Sequence, residues 1–112
     1  MKKVRIEKPM TECLEQAFKH NAIITSDGLG SAEFIHTYKG KAYYEDGGCL
    51  GYFSEANALL DSQEWTHNYK WYIIGYLDEH EIQAIKEMRN NPRVYESFWY
   101  EKELNKILNI TN

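Results

Sequence analysis

Tyr69-Lys70-Trp71-Tyr72-Ile73-Ile74-Gly75-Tyr76 is almost wholly aromatic or β-branched, and that composition predicts a central strand buried on much of both faces. On its N-terminal side, Ser54 reads as the N-cap of a short helix through Gln63, with Ala56, Leu59 and Leu60 as its apolar side and Trp65 at its end. Asp46-Gly47-Gly48-Cys49-Leu50-Gly51 holds three of the seven glycines and reads as a specially turned loop that could hold a ligand. Before it, Lys39-Gly40-Lys41 separates two short runs, residues 33–38 and 42–45, in the pattern of a hairpin. Ala22-Ile23-Ile24-Thr25 is β-branched enough for a further strand, turned by Ser26-Asp27-Gly28. An amphipathic helix over residues 10–20 precedes it, with Met10, Cys13, Leu14, Ala17 and Phe18 on one side and Asn21 at its end.

Beyond the central strand the pattern turns helical. Asp78 and Glu81 form a D-x-x-E capping box for a helix carrying Ile82, Ala84, Ile85 and Met88, which ends before Asn90-Asn91-Pro92. Asn91 as cap and Pro92 as first residue start a second helix, whose apolar members Val94, Tyr95, Phe98, Trp99, Leu104, Ile107 and Leu108 extend nearly to the terminus. This order predicts an α+β fold: an N-terminal helix, a small antiparallel sheet of about four short strands, and two C-terminal helices, in a single domain over residues 1–112.

Composition narrows the function classes. Hydrophobic residues at 43% and charged residues at 27% are ordinary for a folded globular chain. The net charge of −4 has the wrong sign for binding nucleic acid directly through its phosphates. Residues 1–41 carry a net +2 and residues 42–112 a net −6, so one end of the molecule is expected to be acidic. No stretch approaches the ~18 apolar residues of a membrane span and no secretory leader is apparent, which points to a cytoplasmic protein with no membrane partner. Cys13 and Cys49 stand alone without metal-ligand spacing and are expected to be reduced thiols; no cofactor motif is present.

Catalytic motifs are weak throughout. None of His20, His36, His67 and His80 sits at i, i+4 from another, and there is no HxH or HExxH; His36, inside the hairpin beside aromatic residues, is the best placed to donate to a ligand oxygen. Ser26-Asp27-Gly28-Leu29-Gly30-Ser31 could cradle an anion on its amides, though a connecting turn explains the same residues. Glu45 and Asp46 are adjacent, and neighbouring strand residues point to opposite faces. An enzyme would need His36, Glu45 and the 28–30 loop to converge, and the reading is non-catalytic. The aromatic content stands out: sixteen of 112 residues, nine of them Tyr, are more than a core this small can hide. Some are therefore expected at an oligomer interface or in a pocket for a planar ligand.

The order of elements, with Tyr52-Phe53-Ser54-Glu55-Ala56-Asn57-Ala58-Leu59-Leu60-Asp61-Ser62-Gln63-Glu64-Trp65 followed by Trp71-Tyr72-Ile73-Ile74, resembles the small bacteriophage proteins of the second Thoeris anti-defence family. Those proteins carry an aromatic residue, a short polar stretch, a leucine pair, an acidic residue and a Trp before their last strand. The resemblance spans at most residues 10–76. Asn21-Ala22-Ile23-Ile24 stands where the family has a basic-then-Trp segment, and the two C-terminal helices are additional. It implies an oligomeric sponge, acting in the host cytoplasm, that sequesters a cyclic ADP-ribose-type immune signal in pockets between protomers, and it carries over Trp65 alone, as a structural residue. On this reading Tyr38, Tyr43, Tyr44, Trp71 and Tyr72 stack on a small nucleotide-like ligand while His36 and Asp46 give directional hydrogen bonds. The alternative resembles anti-CRISPR proteins in size and acidity: a protein-protein inhibitor that blocks a host enzyme, such as a defence protein, through the helical face of residues 78–112 and its Phe98, Trp99 and Tyr100. Consecutive helix residues lie ~100° apart, so at least one of these three rings points outward.

Overall fold

The structure is a computed structural model and describes residues 1–109. Of the strand expected over residues 69–76, Trp71–Tyr76 forms an inner strand, β6, around which the sheet is built, while Tyr69 ends the preceding short helix. The other strands are β1 (Lys2–Lys8), β2 (Ala22–Ser26), β3 (Ile35–Tyr38), β4 (Lys41–Tyr44) and β5 (Cys49–Gly51). They lie in the order β1-β6-β2-β3-β4-β5 with every neighbouring pair antiparallel. The fold mixes helix and sheet as expected, but the sheet has six strands rather than about four. β1 carries Lys2, Lys3, Arg5, Glu7 and Lys8 and is exposed along most of its length, so it shows no buried alternation to mark it as a strand. It is held by its ladder to β6, with Ile6 opposite Ile73 and Lys8 opposite Trp71. β5 is the end of the glycine-rich loop, drawn into the sheet beside Tyr43 and Ala42.

Both faces of the sheet are covered. Because alternate strand residues point to opposite sides, Ile23 and Ile24 enter different cores. On one face α1 (Met10–His20) and α2 (Phe53–Asp61), followed by the short α3 (Trp65–Asn68), pack Leu14, Ala17 and Leu60 against Ile24, Ile35, Trp71 and Ile73. The other face is covered by α4 (Glu79–Arg89) and α5 (Ser97–Leu108), which bring Ile85, Met88, Tyr100 and Leu104 onto Ile23 and Phe34.

Local signals account for the helix ends. Asp78 and Glu81 cap α4 reciprocally, each side chain accepting the other's backbone N–H at 2.8 and 2.9 Å. α1 ends at Asn21 in the left-handed region, φ 54°, a conformation asparagine tolerates well. The cap of α2 is Tyr52, two residues before the expected Ser54, because the Glu55 carboxylate accepts the N–H of Tyr52 at 3.0 Å and closes the first turn there. Pro92 starts only a 3₁₀ turn, Pro92–Tyr95; extended backbone at Glu96, whose side chain pairs with Arg93, interrupts the helix before α5. Residues 110–112 of the helical face expected to run to the terminus lie outside the described residues. No helix among the described residues is long and apolar enough to cross a membrane.

Candidate functional site

The hairpin register places His36 opposite Tyr43 and Tyr38 opposite Lys41. Alternation then turns His36, Tyr38 and Tyr43 toward the face covered by α4 and α5. Arg89, in the last turn of α4, lays its guanidinium 4.2 Å from the Tyr43 ring centre, 4.8 Å from that of Tyr38 and 5.7 Å from that of Tyr100. Each of these is within cation–π range. Arg89 Nη1 also donates to the Tyr100 hydroxyl at 2.8 Å. That hydroxyl lies 2.9 Å from Nε2 of the fully buried His36. Arginine only donates, so the Tyr100 oxygen accepts from Arg89; the same hydroxyl hydrogen-bonds Nε2 of His36, as donor to a ring protonated on Nδ1 or as acceptor from one protonated on Nε2.

Both groups are held neutral. Burial, and secondly the positive charge of Arg89, push the His36 imidazole down to about 3, so it is neutral at ordinary pH. Burial pushes the Tyr100 phenol up to about 12. Neither group is poised to exchange a proton near pH 7. What the arrangement can do is hold a cation in a fixed orientation. Arg89 is half-buried, and among the described residues no carboxylate forms an ion pair with it. Buried charge is usually paired, and a half-buried guanidinium balanced by a phenol, three ring faces and the α4 C-terminal dipole is chemically suited to take an anion. Beside Tyr38 lies a groove of about 230 Å³ between α4 and the end of the hairpin.

Three of the expected ligand residues are thus brought together and the others are not. His36 has no exposed surface, so it supports Tyr100 and does not meet a ligand. Trp71 is likewise core: it is 2% exposed, its indole N–H donates to the Thr66 carbonyl at 3.1 Å, and it stacks on Trp65. Tyr72 faces the other way, beneath the Arg5 guanidinium at 3.9 Å and donating to Asp27. Tyr44 packs on the Trp71 side of the sheet. The pairs Tyr43-Tyr44 and Trp71-Tyr72 are strand neighbours, and the pleat prevents either pair from stacking on one ligand. Asp46 accepts the Gly48 N–H at 2.9 Å and shapes the turn after β4. Of the helical trio, Tyr100 is fully buried and cannot face a partner, whereas Phe98 is 82% exposed and Trp99 half-buried near Arg93. Tyr95, 93% exposed, joins Phe98 instead.

The 26–31 loop is a turn and not an anion cradle, because Ser26 Oγ accepts the Gly28 N–H and the Glu33 carboxylate accepts that of Gly30. Arg89 was missed in the sequence because a lone arginine ending a helix reads as a solvated charge; its i, i+3 relation to Lys86 marks the face but not the rings it meets. Comparison of the chain with protein-family models, curated proteins and solved structures finds no match.

Proposed function

We propose that this protein acts by binding, holding a small nucleotide-like anion at the Arg89 face, and that it antagonises bacterial host defence by sequestering such a signal. The observation that carries the reading is the half-buried guanidinium held by Tyr38, Tyr43 and Tyr100, with no carboxylate paired to it among the described residues. Tyr43 and Tyr38 lie beside it, each partly exposed, and give aromatic surface next to the cation. The resemblance of residues 52–65 and 71–74 to the Thoeris anti-defence sponges supports the sequestering role, and with it a homo-oligomer in the host cytoplasm. Isothermal titration with ADP-ribose and with adenosine tests the site. ADP-ribose binding that Arg89→Gln weakens at least tenfold, with adenosine much weaker, supports it; ADP-ribose binding indifferent to Arg89→Gln, or none, contradicts it.

A second reading is favoured by a separate observation: Tyr95 and Phe98 project from the 3₁₀ turn and α5 almost fully exposed. Such aromatics are typical anchors of protein interfaces. On this reading the protein inhibits a host enzyme through that surface, and Phe98→Ser abolishes inhibition without affecting the binding of ADP-ribose.

A further inference from the structure

The groove beside Tyr38 has a composition of its own. Leu77, Ile82 and Ile85 supply its apolar lining, and the exposed Lys39 and Lys86 its charges; no acidic residue lines it, in a chain of net charge −4. Ile82 remains 36% exposed, so apolar surface there is still in contact with water. Lys39 sits in the left-handed region at φ 47°, ahead of Gly40 at φ 77°, in the two-residue turn of the β3–β4 hairpin. Asn or Gly fills that position at lower conformational cost, and here it carries a cation, 5.5 Å from the Tyr38 ring centre. About 230 Å³ is below the ~300–1,000 Å³ of sites that enclose drug-sized ligands, which limits the occupant to one ring or a short chain.

We propose that this groove binds a small amphipathic anion: a single ring or short aliphatic body seated on Leu77, Ile82 and Ile85, with one carboxylate or phosphate reached by Lys39 and Lys86. The site shares only Tyr38 with the Arg89 face and stands whether or not that face takes a nucleotide-like ligand. A lysine near an anion at the surface changes affinity about fivefold.

The test is a two-dimensional NMR titration of the full chain with phenyl phosphate and with benzoate, using benzyl alcohol as the neutral control. Saturable shifts at Tyr38, Lys39, Leu77, Ile82 and Lys86 are expected with either anion. Lys39→Asn, which suits the turn, and Lys86→Gln, on an exposed helix position, should each weaken anion binding about fivefold and leave benzyl alcohol unchanged. Arg89→Gln should leave the shifts at Leu77, Ile82 and Lys86 unchanged with either anion, separating this groove from its neighbour. Benzyl alcohol binding as tightly as the anions, loss of anion binding with Arg89→Gln alone, or no saturable shift in this groove would overturn the proposal.

Discussion

The Tyr100 hydroxyl lies 2.9 Å from Nε2 of His36 and joins α5 to β3 across 64 residues of sequence. Tyr100→Phe deletes that one oxygen, leaving a buried imidazole nitrogen without its partner and Arg89 without its acceptor. An unsatisfied buried polar group costs about 1–3 kcal/mol. Urea denaturation of Tyr100→Phe should show a loss of that size at unchanged m-value; a loss below 0.5 kcal/mol, on the order of a typical surface change, would show that the bridge contributes little.

His36 gives stability a definite pH dependence. Its pKa falls from 6.5 to about 3 on folding, so between those values the unfolded chain takes up a proton that the folded chain refuses. Stability should therefore fall as the pH is lowered through this window, with a limiting slope of about 1.4 kcal/mol per pH unit from this one group. Denaturation midpoints of wild type and His36→Gln between pH 6.5 and pH 4 should converge as the pH falls. Parallel curves would mean that the histidine is not held neutral.

Glu45 acts in the opposite sense. Burial, with the Asp46 charge adding, pushes its carboxyl from 4.5 to about 6, so the folded state keeps this proton longer than the unfolded chain. Its contribution is full below 4.5 and is lost as the pH rises through 6. Glu45→Gln retains an acceptor for the Phe34 N–H that Glu45 now satisfies and removes the charge. It should stabilise at pH 8 by on the order of 1 kcal/mol and have little effect at pH 4.5; equal effects at the two pH values would refute this.

The two cysteines should separate cleanly by reactivity. Cys13 is buried in α1 and its thiol is pushed up to about 11, chiefly by burial, whereas Cys49 is exposed on β5. Brief iodoacetamide treatment of the folded protein at pH 8, followed by intact-mass measurement, should add one label at Cys49, and a second only in denaturant. Early modification of Cys13 would mean that α1 opens readily.

Much of this architecture was legible in local patterns. The Asp78 and Glu81 cap, a hairpin turning within Lys39-Gly40-Lys41, and an inner strand within residues 69–76 follow from short-range rules and recur in the fold, with Lys41 already in β4 and the strand starting at Trp71. β1 was not legible, because a strand with charged residues on both sides leaves no hydrophobic period. At the site, the hairpin register and strand alternation bring His36, Tyr38 and Tyr43 to one face. Strand alternation also separates Trp71 from Tyr72 and Tyr43 from Tyr44, a rule that the grouping of aromatics by composition overlooked. The placement of Arg89 over those rings depends on how α4 crosses the sheet, which no local pattern encodes.

The most direct test of the central claim is native mass spectrometry of the protein purified from cells with and without an active nucleotide-signalling defence system, alongside Arg89→Gln. The expected result is an oligomer that retains a nucleotide-like molecule of several hundred daltons only from signalling cells, and that loses it in the variant. Ligand-free wild-type protein from both kinds of cell, or a retained molecule that survives Arg89→Gln, would contradict the account and move the function to the Tyr95 and Phe98 surface.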